Sequence, residues 1–170
     1  VAGKVDEAIA AYEKLFNGVP DDDDAAIEYW TLVARLPARH NEGITQLKKL
    51  NARLPDNVKL QTALAKQMFG DNKPEEGFAY LEQMSRSAAG RGIAADIWFN
   101  EVKSMPVSRA SVQALQRFLM QFPVGSTSAN ARVLLEQQQT QLKDPMFRKR
   151  AEGLAAVKAG KGSLAVADLQ

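Results

Sequence analysis

Few residues of this chain are of a type that could do chemistry. His40 is the only histidine among the 170 residues, and cysteine is absent. A catalytic histidine needs a positioned nucleophile or carboxylate, and the sequence shows no such partner for His40. We therefore expect His40 to be a solvated residue in the turn after Pro37. The lack of cysteine excludes thiolate catalysis, cysteine zinc sites and disulfides.

Three further segments resemble ligand sites but have simpler explanations. Asp21 to Asp24 form a run of four carboxylates. The run lacks the spaced oxygen ligands and the glycine of an EF-hand loop, so we expect it to cap a helix. The segments Gly90–Gly92 and Gly160–Gly162 do not follow predicted strands, so we expect interhelical turns and not phosphate-binding loops. No catalytic, cofactor-binding or metal-binding residue is therefore predicted, and no cofactor.

The composition is that of a globular chain without a strong charge bias. Charged residues make up 25% and hydrophobic residues 45%, and the formal net charge is +2. A dedicated nucleic-acid binder usually carries a much stronger basic footprint. No apolar stretch approaches the roughly 20 residues that cross a bilayer. We therefore expect no nucleic-acid partner and no membrane insertion by this chain.

A spacing of 34 or 35 residues runs along the chain. Its pattern is a small residue, then two apolar residues on one helical face, then a proline. The pattern occurs at Ala8–Pro20, Gly43–Pro55 and Ser111–Pro123, and at Gly77–Ala89 with alanine in place of proline. It matches the second half of a tetratricopeptide (TPR) repeat. The pattern predicts an all-α TPR solenoid of antiparallel helix pairs, whose usual product is a binding surface.

The repeat register predicts one irregularity. Ser111 and Ala165 hold equivalent repeat positions, yet they lie one repeat plus about 20 residues apart. We therefore predict an inserted, unpaired helix near 126–142, and a hinge at Gly160 and Gly162. Since both chain ends fall within a repeat, we expect a fragment of a longer solenoid. The predicted divisions are a half-repeat at 1–20, repeats at 21–56, 57–89 and 90–123, the extra helix, and a truncated repeat at 145–170.

The repeat register also predicts which side chains face the groove. In the TPR pattern, certain positions of each first helix line the concave surface. Trp30, Trp98 and Phe99 do not occupy those positions and should be core, whereas Tyr29 is less constrained. The predicted groove is mixed and mildly basic. Its main residues are Glu28, Arg35, Lys59, Lys66, Asp96, Asn100, Lys103 and Arg150.

Longer strings of the sequence resemble one family. They are EYWTLVARLPARHNEGITQLKKLNARLPDN at 28–57, EEGFAYLEQMSRSAAGR at 75–91, KSMPVSRASVQAL at 103–115 and DPMFRKRAEGLAAVKAGK at 144–161. These strings are similar to the periplasmic TPR region of cellulose synthase operon protein C, which enterobacteria use in bacterial cellulose synthesis. TPR positions alone are generic, but strings of this length are not.

The resemblance implies a function for the chain. The parent would be a large secreted protein whose periplasmic TPR repeats precede an outer-membrane export channel for β-1,4-glucan. The chain would be a non-catalytic periplasmic scaffold that links the inner-membrane synthase to that channel. The implied partners are other cellulose synthase complex subunits, with β-1,4-glucan or peptidoglycan as further candidates.

Other functions remain open from the residues alone. A generic TPR peptide-binding adaptor or co-chaperone would capture a short peptide through groove residues such as Lys66, Asn100 and Lys103. A glycan lyase built on a helical ring would need a catalytic carboxylate in a separate domain. RNA-binding helical repeats are also known, and the low net charge counts against them.

Overall fold

The structure, a computed structural model, describes residues 2–158 of the chain. This range is all-α and contains no strand, which confirms the predicted TPR-like helical solenoid class. A short 3-10 helix, Pro37–Arg39, follows the second α-helix. The α-helices of the described range are α1 (Ala2–Phe16), α2 (Asp23–Val33), α3 (His40–Arg53), α4 (Val58–Gly70), α5 (Pro74–Met84), α6 (Ala88–Lys103), α7 (Arg109–Gln121), α8 (Ser126–Lys143) and α9 (Pro145–Lys158).

The chain divides into two compact units within α6. Unit 1 is Val1–Ala94 and unit 2 is Ala95–Gln170. Unit 1 contains α1 to α5 and the first part of α6, and unit 2 contains the rest of α6 with α7 to α9. The repeat boundaries given above stay a prediction.

Unit 1 is a stack of helix pairs. Helix α2 packs against α3, and α4 against α5, while α1 packs on α2 and α3 on α4. Trp30 is buried in this core as predicted, but Tyr29 is buried too, with 1% of its surface exposed. The Tyr29 hydroxyl donates a 2.8 Å hydrogen bond to Glu13 Oε1, so its polar end is satisfied. Other members of the core are Ile9, Val33, Leu47, Leu60, Leu64 and Met68.

The small residue of the repeat pattern marks a close helix contact. A β-carbon added at Gly43 would lie 2.5 Å from the backbone nitrogen of Ala34. A β-carbon at Gly77 would lie 2.7 Å from the Phe69 ring. Side chains at these two positions would collide with their neighbours, so the repeat pattern requires small residues there.

The acidic run caps α2, as expected. The Asp22 side chain accepts a 2.9 Å hydrogen bond from the backbone N–H of Ala25. Asp23 and Asp24 lie in the first turn, where the positive end of the helix dipole favours carboxylates. No group of three or more potential metal-ligating side chains occurs among residues that the structure describes.

The prediction of a turn at Gly90–Gly92 is wrong. Helix α6 begins at Ala88 and includes both glycines. The Ser87 hydroxyl oxygen accepts a 2.9 Å hydrogen bond from the backbone N–H of Gly90, and this bond caps the helix before the glycines are reached. Gly160–Gly162, predicted as a turn and a hinge, lies outside the described residues.

Unit 2 has an aromatic core. Trp98, Phe99, Phe118 and Phe122 are all buried, which confirms the prediction for Trp98 and Phe99. The rings of Phe99 and Phe118 have centroids 5.7 Å apart, and those of Phe118 and Phe122 are 5.2 Å apart. These rings hold the last part of α6 against α7.

Helix α8 occurs where an extra helix was predicted. It spans Ser126–Lys143, packs on α7 and contacts α9. Ser111 Oγ on α7 donates a 2.7 Å hydrogen bond to Oε1 of the buried Gln138 on α8. Its status as an insertion without a repeat partner stays a prediction. In the described part of the chain, no helix is both long and apolar enough to cross a membrane.

Candidate binding groove

Unit 1 brings four of the predicted groove residues together. Glu28, Arg35, Lys59 and Lys66 line one groove of about 340 Å³, which we call the α2–α4 groove. Residues three, four or seven apart on a helix share one face, and this spacing places Lys59 and Lys66 on the same side of α4. The floor between the charged residues is apolar and consists of Ile27, Leu32 and Ala63.

Glu28 is the one carboxylate among the residues that line the groove, and it is fully engaged. Lys59 Nζ donates to Glu28 Oε1, and the Tyr12 hydroxyl donates to Glu28 Oε2. The hydrogen bond from Lys59, followed by the one from Tyr12, lowers the pKa of Glu28. The bond to Glu28 also raises the pKa of the Tyr12 hydroxyl. Glu28 and Lys59 therefore neutralise one another.

The other two charges of the groove are not neutralised. Arg35 and Lys66 are exposed, and neither forms an ion pair with any residue in the range 2–158. Arg35 follows directly after the end of α2, and Lys66 lies in the last half of α4. The groove therefore has a neutral part at Glu28 and Lys59 and a basic part at Arg35 and Lys66.

The remaining predicted groove residues lie in unit 2. Asp96, Asn100 and Lys103 are exposed and share one face of α6 by their spacing. Asp96 Oδ1 accepts a 2.6 Å hydrogen bond from the Thr127 hydroxyl on α8. Arg150 is exposed on α9. A ligand-binding role for these residues, and for the four in unit 1, stays a prediction.

Tyr12 is a groove residue that the repeat register did not predict. Other repeats have leucine at the equivalent position, and the register treats this position as part of the apolar face. In the structure the hydroxyl reaches Glu28, sixteen residues later. The one signal in the sequence was the phenolic oxygen itself, since a hydroxyl on a packed face needs a polar partner.

His40 is not the solvated turn residue that we expected. It is the first residue of α3, and its Nδ1 lies 2.5 Å from the carbonyl oxygen of Ala34. Its Nε2 lies 2.9 Å from Asp71 Oδ1, at the end of α4. Both partners are acceptors, so the protonated ring, which donates from both nitrogens, fits this site best. The bonds to Ala34 and then to Asp71 raise the pKa of His40.

The raised pKa predicts a pH-dependent contribution to stability. The contribution is fully present below about pH 6.5, where His40 is protonated in both the folded and unfolded states. It is lost as the pH rises through the higher folded-state pKa, and nearby Lys73 opposes the shift. We expect His40→Gln to reduce the free energy of unfolding by about 1 kcal/mol at pH 6 and by less at pH 9.

Urea unfolding at several pH values measures this effect. Asp71→Asn keeps the shape of the partner but removes its charge, so it should reproduce most of the loss at pH 6. An equal loss at pH 6 and pH 9 for His40→Gln would contradict the proposed imidazolium pairing.

Comparison with known proteins places these helices in a family. A crystal structure of the flexible tandem repeat domain of the C component of bacterial cellulose synthase matches 84% of this chain and 58% of its own, with a TM-score of 0.75 and 54% sequence identity. Cellulose synthase operon protein C of Salmonella typhimurium is 51% identical over 168 residues, which is 99% of this chain. The chain is homologous to the tandem-repeat region of cellulose synthase operon protein C.

A second curated relative agrees with this relationship. Cellulose synthase operon protein C of Escherichia coli K12 is also 51% identical over 168 residues. The chain spans 14% of the length of each of these two curated relatives. No family model matches the chain.

Proposed function

We propose that this chain is a non-catalytic periplasmic scaffold of the bacterial cellulose synthesis and export complex. It binds protein partners and so helps to link the inner-membrane synthase to the outer-membrane export channel. The observation that carries the proposal is the 51% identity to cellulose synthase operon protein C along nearly the whole chain. The exposed groove of unit 1 supports it, since stacked helix pairs commonly present such surfaces to partners.

The contacts of the titratable side chains favour a role without catalysis. His40 has acceptors at both ring nitrogens, so neither nitrogen is free to take a proton from a substrate. Glu28 is held by Lys59 and Tyr12, and the residues lining its groove include no second carboxylate for a glycosidase pair. We expect no release of reducing ends from cello-oligosaccharides or peptidoglycan fragments, and measurable release would contradict the proposal.

Cross-linking in cells tests the scaffold role. The tagged 170-residue chain is secreted into the periplasm of a cellulose-producing strain, cross-linked and purified, and its partners are identified by mass spectrometry. We expect subunits of the cellulose synthase complex to be enriched over a Gly43→Val control, whose helix contact is disrupted. Recovery of general chaperones without any member of the complex would support the adaptor alternative and contradict the scaffold.

A further inference from the structure

We propose that the α2–α4 groove binds an extended acidic peptide segment of a protein partner. Its carboxylates contact Arg35 and Lys66, and a neighbouring aliphatic side chain lies on the floor formed by Ile27, Leu32 and Ala63. This inference rests on the scaffold function proposed above and names the chemistry of the partner.

The charge pattern of the groove selects an anion. The Glu28 carboxylate and the Lys59 ammonium cancel, and Arg35 and Lys66 have no ion-pair partner within the described residues. The uncompensated charge of the groove is therefore positive. A guanidinium and an ammonium that are already exposed lose little solvation on meeting a carboxylate at the surface, so pairing there is favourable.

The pairing of Glu28 with Lys59 also orients the charge. These residues belong to the first halves of α2 and α4, which lie side by side there. Arg35 and Lys66 come seven residues later in each case. The two unpaired cations are therefore at one end of the groove, and the apolar floor extends from them towards the neutral pair. This order matches a segment in which acidic residues adjoin an aliphatic one.

The floor argues for a peptide over other anions and over glucan. Leu32 and Ala63 are half-buried and offer methyl groups, which gain from contact with an aliphatic side chain. A nucleic acid has phosphates but no aliphatic side chains for this floor. A neutral glucan would leave both cations without partners, and sugars stack on flat aromatic faces. Tyr12 is the one aromatic residue lining the groove, and Glu28 holds its hydroxyl.

Fluorescence anisotropy with the 170-residue chain tests the proposal. The probe is a labelled, amidated peptide of glutamate and leucine residues, and the matched control peptide has glutamine in place of each glutamate. We expect the acidic peptide to bind at least about tenfold more tightly than the glutamine peptide, and to weaken as salt screens the charges. Equal binding of the two peptides would overturn the proposal.

Substitutions locate the binding to the groove. We expect Arg35→Gln and Lys66→Gln each to weaken binding of the acidic peptide by about three- to fivefold, and the double variant by about tenfold or more. Lys49→Gln removes an exposed lysine on α3 that does not line the groove, and it should leave affinity unchanged. An equal loss from Lys49→Gln, or equally tight binding of single-stranded DNA, would show a general anion surface and would overturn the proposal.

The peptide experiment and the cross-linking experiment fail separately. Recovery of members of the cellulose synthase complex by a chain that ignores acidic peptides would overturn the acidic-segment proposal and leave the scaffold role standing. Groove-dependent peptide binding without recovery of any member of the complex would support the chemistry of the groove and contradict the scaffold role.

Discussion

Replacing Phe118 with alanine is expected to lower the free energy of unfolding of unit 2 by about 3–5 kcal/mol. Phe118 is 0% exposed, and its ring lies between those of Phe99 and Phe122. Truncation removes buried aromatic area and leaves a cavity between α6 and α7. Urea unfolding monitored by circular dichroism, with the fluorescence of nearby Trp98 as a second probe, measures the loss.

Met120 provides the matched control on the same helix. It lies two residues after Phe118 and is 77% exposed. Met120→Ala should change the free energy of unfolding by no more than about 0.5 kcal/mol. Similar losses for the two variants would show that α7 does not bury the face that carries Phe118.

Alanine at Gly43 is expected to destabilise unit 1 by about 1–3 kcal/mol. The new β-carbon would lie 2.5 Å from Ala34 N and 2.7 Å from Ala34 Cα. These are backbone atoms and cannot rotate away, so α2 and α3 must separate. A thermal melt followed by circular dichroism should show a lower midpoint for the variant.

The same substitution at Gly92 should have the opposite sign. Gly92 lies within α6, and a β-carbon there would meet nothing within 4 Å. Gly92→Ala should therefore raise the free energy of unfolding by about 0.5–1 kcal/mol, because alanine restricts the unfolded chain and favours the helix. Destabilisation by both substitutions would contradict the close α2–α3 contact at Gly43.

The helical class and most helix positions could be predicted because they depend on local, periodic features. The recurring small residue is an example, since Gly43 recurs at a fixed distance and the structure shows the backbone contact that requires it. The turn expected at Gly90–Gly92 was wrong because the Ser87 cap outweighs the low helix propensity of glycine. Sequence spacing alone does not show which of these two local effects prevails.

Contacts between distant residues could not be predicted in the same way. His40 and Asp71 are 31 residues apart, and nothing in either local sequence indicates their pairing. Tyr29 was underestimated for a similar reason, since Glu13 on α1 provides the acceptor that allows its hydroxyl to be buried.

The candidate site was partly predictable. The repeat register selected Glu28, Arg35, Lys59 and Lys66, and the structure places all four on one groove. The register could not show that Glu28 pairs with Lys59 and leaves the other two cations unpaired, because that depends on side-chain geometry across two helices. The functional inference depends on this distinction.

Photo-cross-linking from within the groove tests most directly whether unit 1 holds a protein partner. A photoreactive amino acid replaces Lys66 in the full-length parent protein of a cellulose-producing strain, and Lys49 serves as the control position outside the groove. We predict cross-links from position 66 to an acidic segment of another member of the cellulose synthase complex, identified by mass spectrometry, and far fewer from position 49. Equal cross-linking from both positions, or none to any member of the complex, would contradict a partner-binding groove.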